Sequence, residues 1–118
     1  MSRKDLQERT LNFSIRIVNL CKYLREYGGT GYDLSKQLIR SGTSIGANLE
    51  EAQDAESKAD FIHKMSICLK EARETNYWLK ILIATENTLE QRLLPLLNES
   101  NELICIIHAI IKNAKSKK

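Results

Sequence analysis

A single proline and five glycines leave this 118-residue sequence with few ways to turn. So few turn residues exclude a fold of many short strands. Aromatic residues are scarce at 6%, against 28% charged, which suits long amphipathic helices rather than a β-sandwich. Histidine occurs only at His63 and His108, far apart, with no cysteine or carboxylate at a metal-ligand spacing. No metal and no cofactor is therefore expected. Cys21, Cys68 and Cys105 are odd in number, form no CxxC and fall in apolar-patterned stretches. They read as reduced core thiols of a cytoplasmic protein. No apolar run approaches the roughly 18 residues of a membrane span. The opening MSRKDLQERT has neither the apolar core nor the cleavage site of a secretory signal.

What is present is helical periodicity. Leu6, Thr10, Phe13, Ile17, Leu20, Leu24 and Tyr27 recur at 4-3 spacing, predicting one buried stripe on a helix over 5–27. Gly28-Gly29-Thr30-Gly31 ends it. Leu34, Leu38, Ser41, Ile45, Leu49 and Ala52 predict a second helix over 32–56. Ser57 is a natural N-cap, with Asp60 three residues on as its partner. Phe61, Met65, Cys68, Ala72, Thr75, Leu79 and Leu82 predict a third helix over 58–86. The fourth, over 90–114, carries Leu93, Leu97, Ser100, Ile104, Ile107, Ile111 and Ala114, with Pro95 near its start and a frayed Lys-rich tail over 112–118. Short turns force sequential helices to run antiparallel. The expected fold is all-α, an up-down-up-down antiparallel four-helix bundle, with 1–118 as one domain.

The block Ser41–Asn48, SGTSIGAN, puts two glycines inside a helix, each costing about 1 kcal/mol relative to alanine. Gly42 and Gly46 share a face and predict close approach of a neighbouring backbone, with Ile45 in the core between them. Ser41, Ser44, Asn48 and Glu51 form a polar cluster expected to hydrogen-bond against a neighbouring helix, or to touch a ligand.

Leu103–Ile111 reads LICIIHAII, more apolar than a bundle stripe requires. Ile106 and Ile110 fall off that stripe, as a wide core contact or as a subunit interface. Tyr77 and Trp78 stand beside the third stripe, where an aromatic packs at a bundle or subunit edge. The rival is a base-stacking platform, disfavoured because the stretch lacks aromatic interleaving with arginine. Adjacent carboxylates such as Glu50 and Glu51 read as surface, and Lys70 with Glu74 as an i,i+4 ion pair. Nothing assembles a nucleophile, so no enzyme is expected.

The net charge of +3 is uneven. Residues 3–27 carry six basic and three acidic side chains, and residues 31–56 two basic and five acidic. Arg9 and Arg16 share a face of the first helix, with Lys22 and Arg25 at another angle. Lys112, Lys115, Lys117 and Lys118 close the chain. These eight are the candidate phosphate contacts, against a solvated surface and a solubilising tail as the plain alternative.

The segments YDLSKQLIRSGTSIGANLEEA, Tyr32 to Ala52, and FIHKMSICLKEARETNYWLKIL, Phe61 to Leu82, resemble the bacterial four helix bundle protein family. Its members are often encoded within intervening sequences of large-subunit ribosomal RNA genes. The same fold includes the accessory variability determinant of diversity-generating retroelements. The matching core is Ser44, Ile45, Ala47, Asn48 and Glu51, together with Lys70 to Leu79. Many members have proline where this chain has Gly46, so a straighter second helix is expected. The resemblance implies a four-helix bundle assembling as a homopentamer around a channel. For the accessory determinant it implies binding of nucleic acid and of a reverse transcriptase. The combined expectation is a non-enzymatic, cytoplasmic, homo-oligomeric scaffold that binds RNA or DNA. The alternative is a protein–protein adaptor without nucleic-acid binding, such as a reverse transcriptase partner.

Overall fold

The computed structural model describes residues 1–117, and the expectation placed on Lys118 lies outside the described residues. Four helices make the fold: α1 Arg3–Tyr27, α2 Gly29–Gln53, α3 Lys58–Thr85 and α4 Glu90–Ser116, with a short 3-10 turn at Asn87–Leu89. Sequential helices pack closely, while α1 and α4 meet more loosely. The bundle is elongated, 49 × 20 × 19 Å.

Local chemistry sets the helix ends. Ser2 and Asp5 form a capping box, each side chain accepting the other's backbone N–H at 3.1 Å. The bond from the Ser2 N–H, reinforced by its hydroxyl, holds the Asp5 carboxyl below its ordinary range. The first reversal is tighter than the four-residue turn expected. Gly28, at φ 84°, is the one residue between α1 and α2, and its N–H closes α1 on the Leu24 carbonyl at 3.0 Å. Ser57 caps α3 by accepting the Asp60 N–H at 3.0 Å. The Asp60 carboxylate takes the Glu56 N–H and Lys64 rather than returning to Ser57.

The predicted stripes form the core, with Phe13, Ile17, Leu24, Leu38, Ile45, Met65, Leu79, Leu93 and Ile107 fully buried. Leu89, Leu96 and Leu103 join them, while Tyr27 lies exposed at the end of its stripe. Cys21 and Cys68 are core thiols, as expected, but Cys105 is exposed. Over an 18-residue window α4 reaches a mean hydropathy of 1.2, long and apolar enough to cross a membrane. This departs from the sequence expectation: Leu93, Leu96, Leu103, Ile107 and Ile111 pack into the core, yet only 28% of that window is buried.

Gly42 and Gly46 separate in role. A Cβ on Gly42 would stand 2.8 Å from Ile17 Cγ2 and 2.9 Å from its Cγ1. On Gly46 it would meet Thr10 at 3.4 Å, an ordinary contact. Close approach of α1 to α2 therefore rests on Gly42. α2 runs unbroken through Gly46. Ser44 and Asn48 do not bond across a helix interface: Ser44 donates to the Arg40 carbonyl, and Asn48 to the Ser44 carbonyl. Inter-helix register is carried instead by Thr75 donating to Ser41 at 2.9 Å. Asn76 donates to Ser100 and to Asn101, both at 2.8 Å.

Candidate nucleic-acid interface

Two arginines organise the charge of the whole bundle. Arg9 on α1 forks onto Glu99 of α4, its Nε and Nη2 each 2.7 Å from a carboxylate oxygen, and reaches Glu102 at 3.1 Å. These bonds to Glu99 raise the Arg9 pKa. Arg40 on α2 pairs with Glu71 at 3.3 Å and with Glu74 on α3. Both arginines take carboxylates from a neighbouring helix. Glu74 is thus turned toward α2, and the ion pair expected between it and Lys70 does not form.

The predicted cations of α1 do not make one surface. Arg9 is neutralised by its carboxylates. Arg16 is exposed, on the flank of Arg9 that faces α4. Lys22 and Arg25 are exposed but lie about 120° or more around the helix from Arg16.

A second set of cations without an ion pair among the described residues shares the outer face of α3 and α4. The Asn76–Asn101 bond marks the outer seam between α3 and α4, since Asn101 is exposed. On α3, Arg73 lies three residues before Asn76 and Lys80 four after, so both flank that seam. Lys70, Arg73, Tyr77 and Lys80 are exposed at 3-4-3 spacing and share a face. On α4, Cys105, His108, Lys112 and Lys115 follow Asn101 at offsets of 4, 7, 11 and 14 and continue the same face. The helix extends through Ser116, so Lys112 and Lys115 are helical rather than part of a frayed tail. Lys117 follows just beyond it, exposed.

Among the described residues, no carboxylate stands within ion-pair distance of Lys70, Arg73, Lys80, Lys112 or Lys115. Four carboxylates of α3 and α4 explain why: Glu71 and Glu74 face Arg40, and Glu99 and Glu102 face Arg9. These four acids are drawn to the flanking seams, and the five cations are left on the outer face. Lys112 and Lys115 are among the cations expected from the sequence to contact phosphate; Lys70, Arg73 and Lys80 are not. The missed signal was the spacing of Arg73, Tyr77 and Lys80, which does place an arginine one turn from the aromatic.

The predicted interface residues are divided. Ile106 and Ile110 do not stand free in water; they are half-buried and line an open cavity of about 710 Å³ with Leu6, Leu49, Phe61 and Met65. Trp78 is half-buried against the core, four residues beyond Glu74, on the α2-facing flank of α3. Its Nε1 is buried with no hydrogen-bond partner among the described residues. No group of three or more His, Cys, Asp or Glu among the described residues could hold a metal ion. Burial pushes the Cys21 thiol up to about 11 and the Cys68 thiol to about 12, which makes both poor nucleophiles.

A family model for the 23S rRNA-intervening sequence protein matches residues 4–109. The chain belongs to that family. Its helices also resemble a solved structure, described as a protein with unknown function from the S23 ribosomal protein family of Bacteroides thetaiotaomicron VPI-5482. The two are 45% identical, the match covers 95% of this chain and 99% of that one, and the TM-score is 0.85. No match was found among curated proteins. The stretch shared with the 23S rRNA-intervening sequence protein family includes Lys70, Arg73, Tyr77 and Lys80 but stops before Lys112 and Lys115.

Proposed function

We propose that this chain is a non-enzymatic scaffold that binds nucleic acid through the outer face of α3 and α4. The observation that supports the reading is the uncompensated set Lys70, Arg73, Lys80, Lys112 and Lys115, left when Arg9 and Arg40 hold the carboxylates of those helices elsewhere. Such a face attracts a phosphate backbone by counterion release and needs no base-specific contact. Membership of a family named for ribosomal RNA intervening sequences adds to it without identifying the ligand.

Self-association belongs to the same proposal, with five copies as the number the family resemblance implies. Leu11 and Ile15 are 58% and 51% exposed, one turn apart on α1, and Ile106 and Ile110 border an open apolar cavity. Copies of one basic face on a closed assembly multiply a weak contact. Exposed Leu11 and Ile15 also favour the second reading, a protein adaptor, because an apolar patch suits a protein partner.

Fluorescence anisotropy of a structured RNA and a single-stranded DNA, titrated with protein across a salt series, tests the first reading. Affinity should fall with salt, and Arg73→Glu with Lys80→Glu should flatten the slope by about two. Absence of binding at low salt, or a double variant that binds as the parent does, would leave the adaptor as the working function. Ile106→Glu, read by solution mass, tests whether the cavity edge lies between subunits.

A further inference from the structure

We infer that Tyr77 is a stacking platform for an unpaired base, so that the α3–α4 face takes single-stranded nucleic acid in preference to duplex. This rests on the nucleic-acid-binding reading and assigns the class of ligand to the same surface.

The four tyrosines differ in what covers them. Arg92 lies 3.9 Å from the Tyr23 ring centroid and Lys36 lies 5.6 Å from that of Tyr32. Tyr27 stacks on Tyr23 and shares a hydrogen bond with Thr88 at 3.1 Å. Tyr77 has no cation on its ring and no hydroxyl partner among the described residues, and it is 59% exposed, the most of the four. Its one aromatic neighbour is Trp78, tilted by 60° at a centroid distance of 5.6 Å.

Its position completes the argument. Arg73 precedes Tyr77 by four residues and Lys80 follows by three, so a base on the ring would have its flanking phosphates within reach of a cation on either side. The bond between Asn76 and Asn101 fixes the register of α3 against α4, which sets Lys115 about 27 Å along the bundle from Lys80. A strand running from Lys80 across Tyr77 toward Lys112 and Lys115 therefore meets positive charge along over half of the 49 Å molecule. In a duplex the bases are stacked on each other and offer no free face to a ring on a helix surface. Stacking is sequence-tolerant and favours unpaired strands.

The test uses one sequence in four forms: single-stranded RNA, single-stranded DNA, their duplexes, and a single strand with abasic central positions. Tyr77→Ala should weaken both single strands about tenfold, leave the duplexes unchanged, and have no effect on the abasic strand. Tyr77→Phe should bind as the parent does. Trp78, the only tryptophan, should change its emission on binding the intact strand and not the abasic one. RNA and DNA arms falling together identify the unpaired base as the ligand, and a difference between them assigns the added preference to the sugar. If Tyr77→Ala changes single strands and duplexes equally, or neither, while Arg73→Glu with Lys80→Glu still weakens both, stacking is overturned and the charge-based reading stands. If no probe binds at low salt, both fall.

Discussion

The two seams held by Arg9 and Arg40 and the outer face of α3 and α4 are built from the same kinds of side chain, with opposite results. At the seams each arginine faces two carboxylates of the neighbouring helix. On the outer face five cations have none among the described residues. The difference lies in angular placement around α3 and α4, and composition does not determine it. A charge count over a segment averages the two flanks of a helix and loses the polarity between them.

The largest stability effect should come from breaking the more enclosed seam. Arg9→Ala leaves Glu99 without its forked partner at only 16% side-chain exposure. Loss of these charge-assisted bonds, moderated by partial solvent access, should lower stability by about 2 kcal/mol in urea unfolding. If the partition of charge holds, the same substitution should barely affect phosphate binding, since Arg9 lies off the outer face. A variant of parental stability that loses nucleic-acid affinity would reverse the roles assigned to the two regions.

Next in size is the glycine pair on the α1–α2 seam. Gly42→Ala forces a methyl against the Ile17 side chain, and the overpacking, offset in part by helix propensity, should leave a net cost of about 1 kcal/mol. Gly46→Ala meets only ordinary contact and gains helix propensity, so it should be neutral or stabilise by up to about 1 kcal/mol. Equal effects on the thermal midpoint would show that the two helices do not approach most closely at Gly42.

The smallest effect concerns the buried thiols. Burial raises Cys68 to about 12 and Cys21 to about 11, from about 9. The unfolded chain therefore loses these protons first. Their contribution is fully present below about pH 9 and is lost as pH rises toward 11–12. Replacing both with alanine should make the fall in stability over that window shallower. Cys105, exposed, should react with a thiol reagent in the folded protein while Cys21 and Cys68 do not.

The helices were legible because 4-3 spacing of apolar residues is a direct consequence of 3.6 residues per turn. The cap at Ser57 was equally local and equally readable. The polar contacts were not, because a serine or asparagine inside a helix can turn to its own backbone or to a neighbour. Ser44 and Asn48 chose the first, and Ser41 and Asn76 took part in the second. Glu74 shows the same ambiguity for charge. Lys70 lies one turn away on its own helix, yet Arg40 on α2 competes for the carboxylate and wins. The freedom of Lys70 depends on such a choice between helices, which only exists once α2 and α3 are side by side.

Met1 and Lys117 both border the cavity at one end of the bundle, beside Leu6 and Ile110. Four antiparallel helices bring the path back to where it started, so the backbone traces a nearly closed circuit. A short linker should join these two points, and new ends could open at the Asp54–Ser57 connection without cutting a helix. Anything attached at one of these points will stand beside the other, at the opposite end of the bundle from the Gly28 reversal.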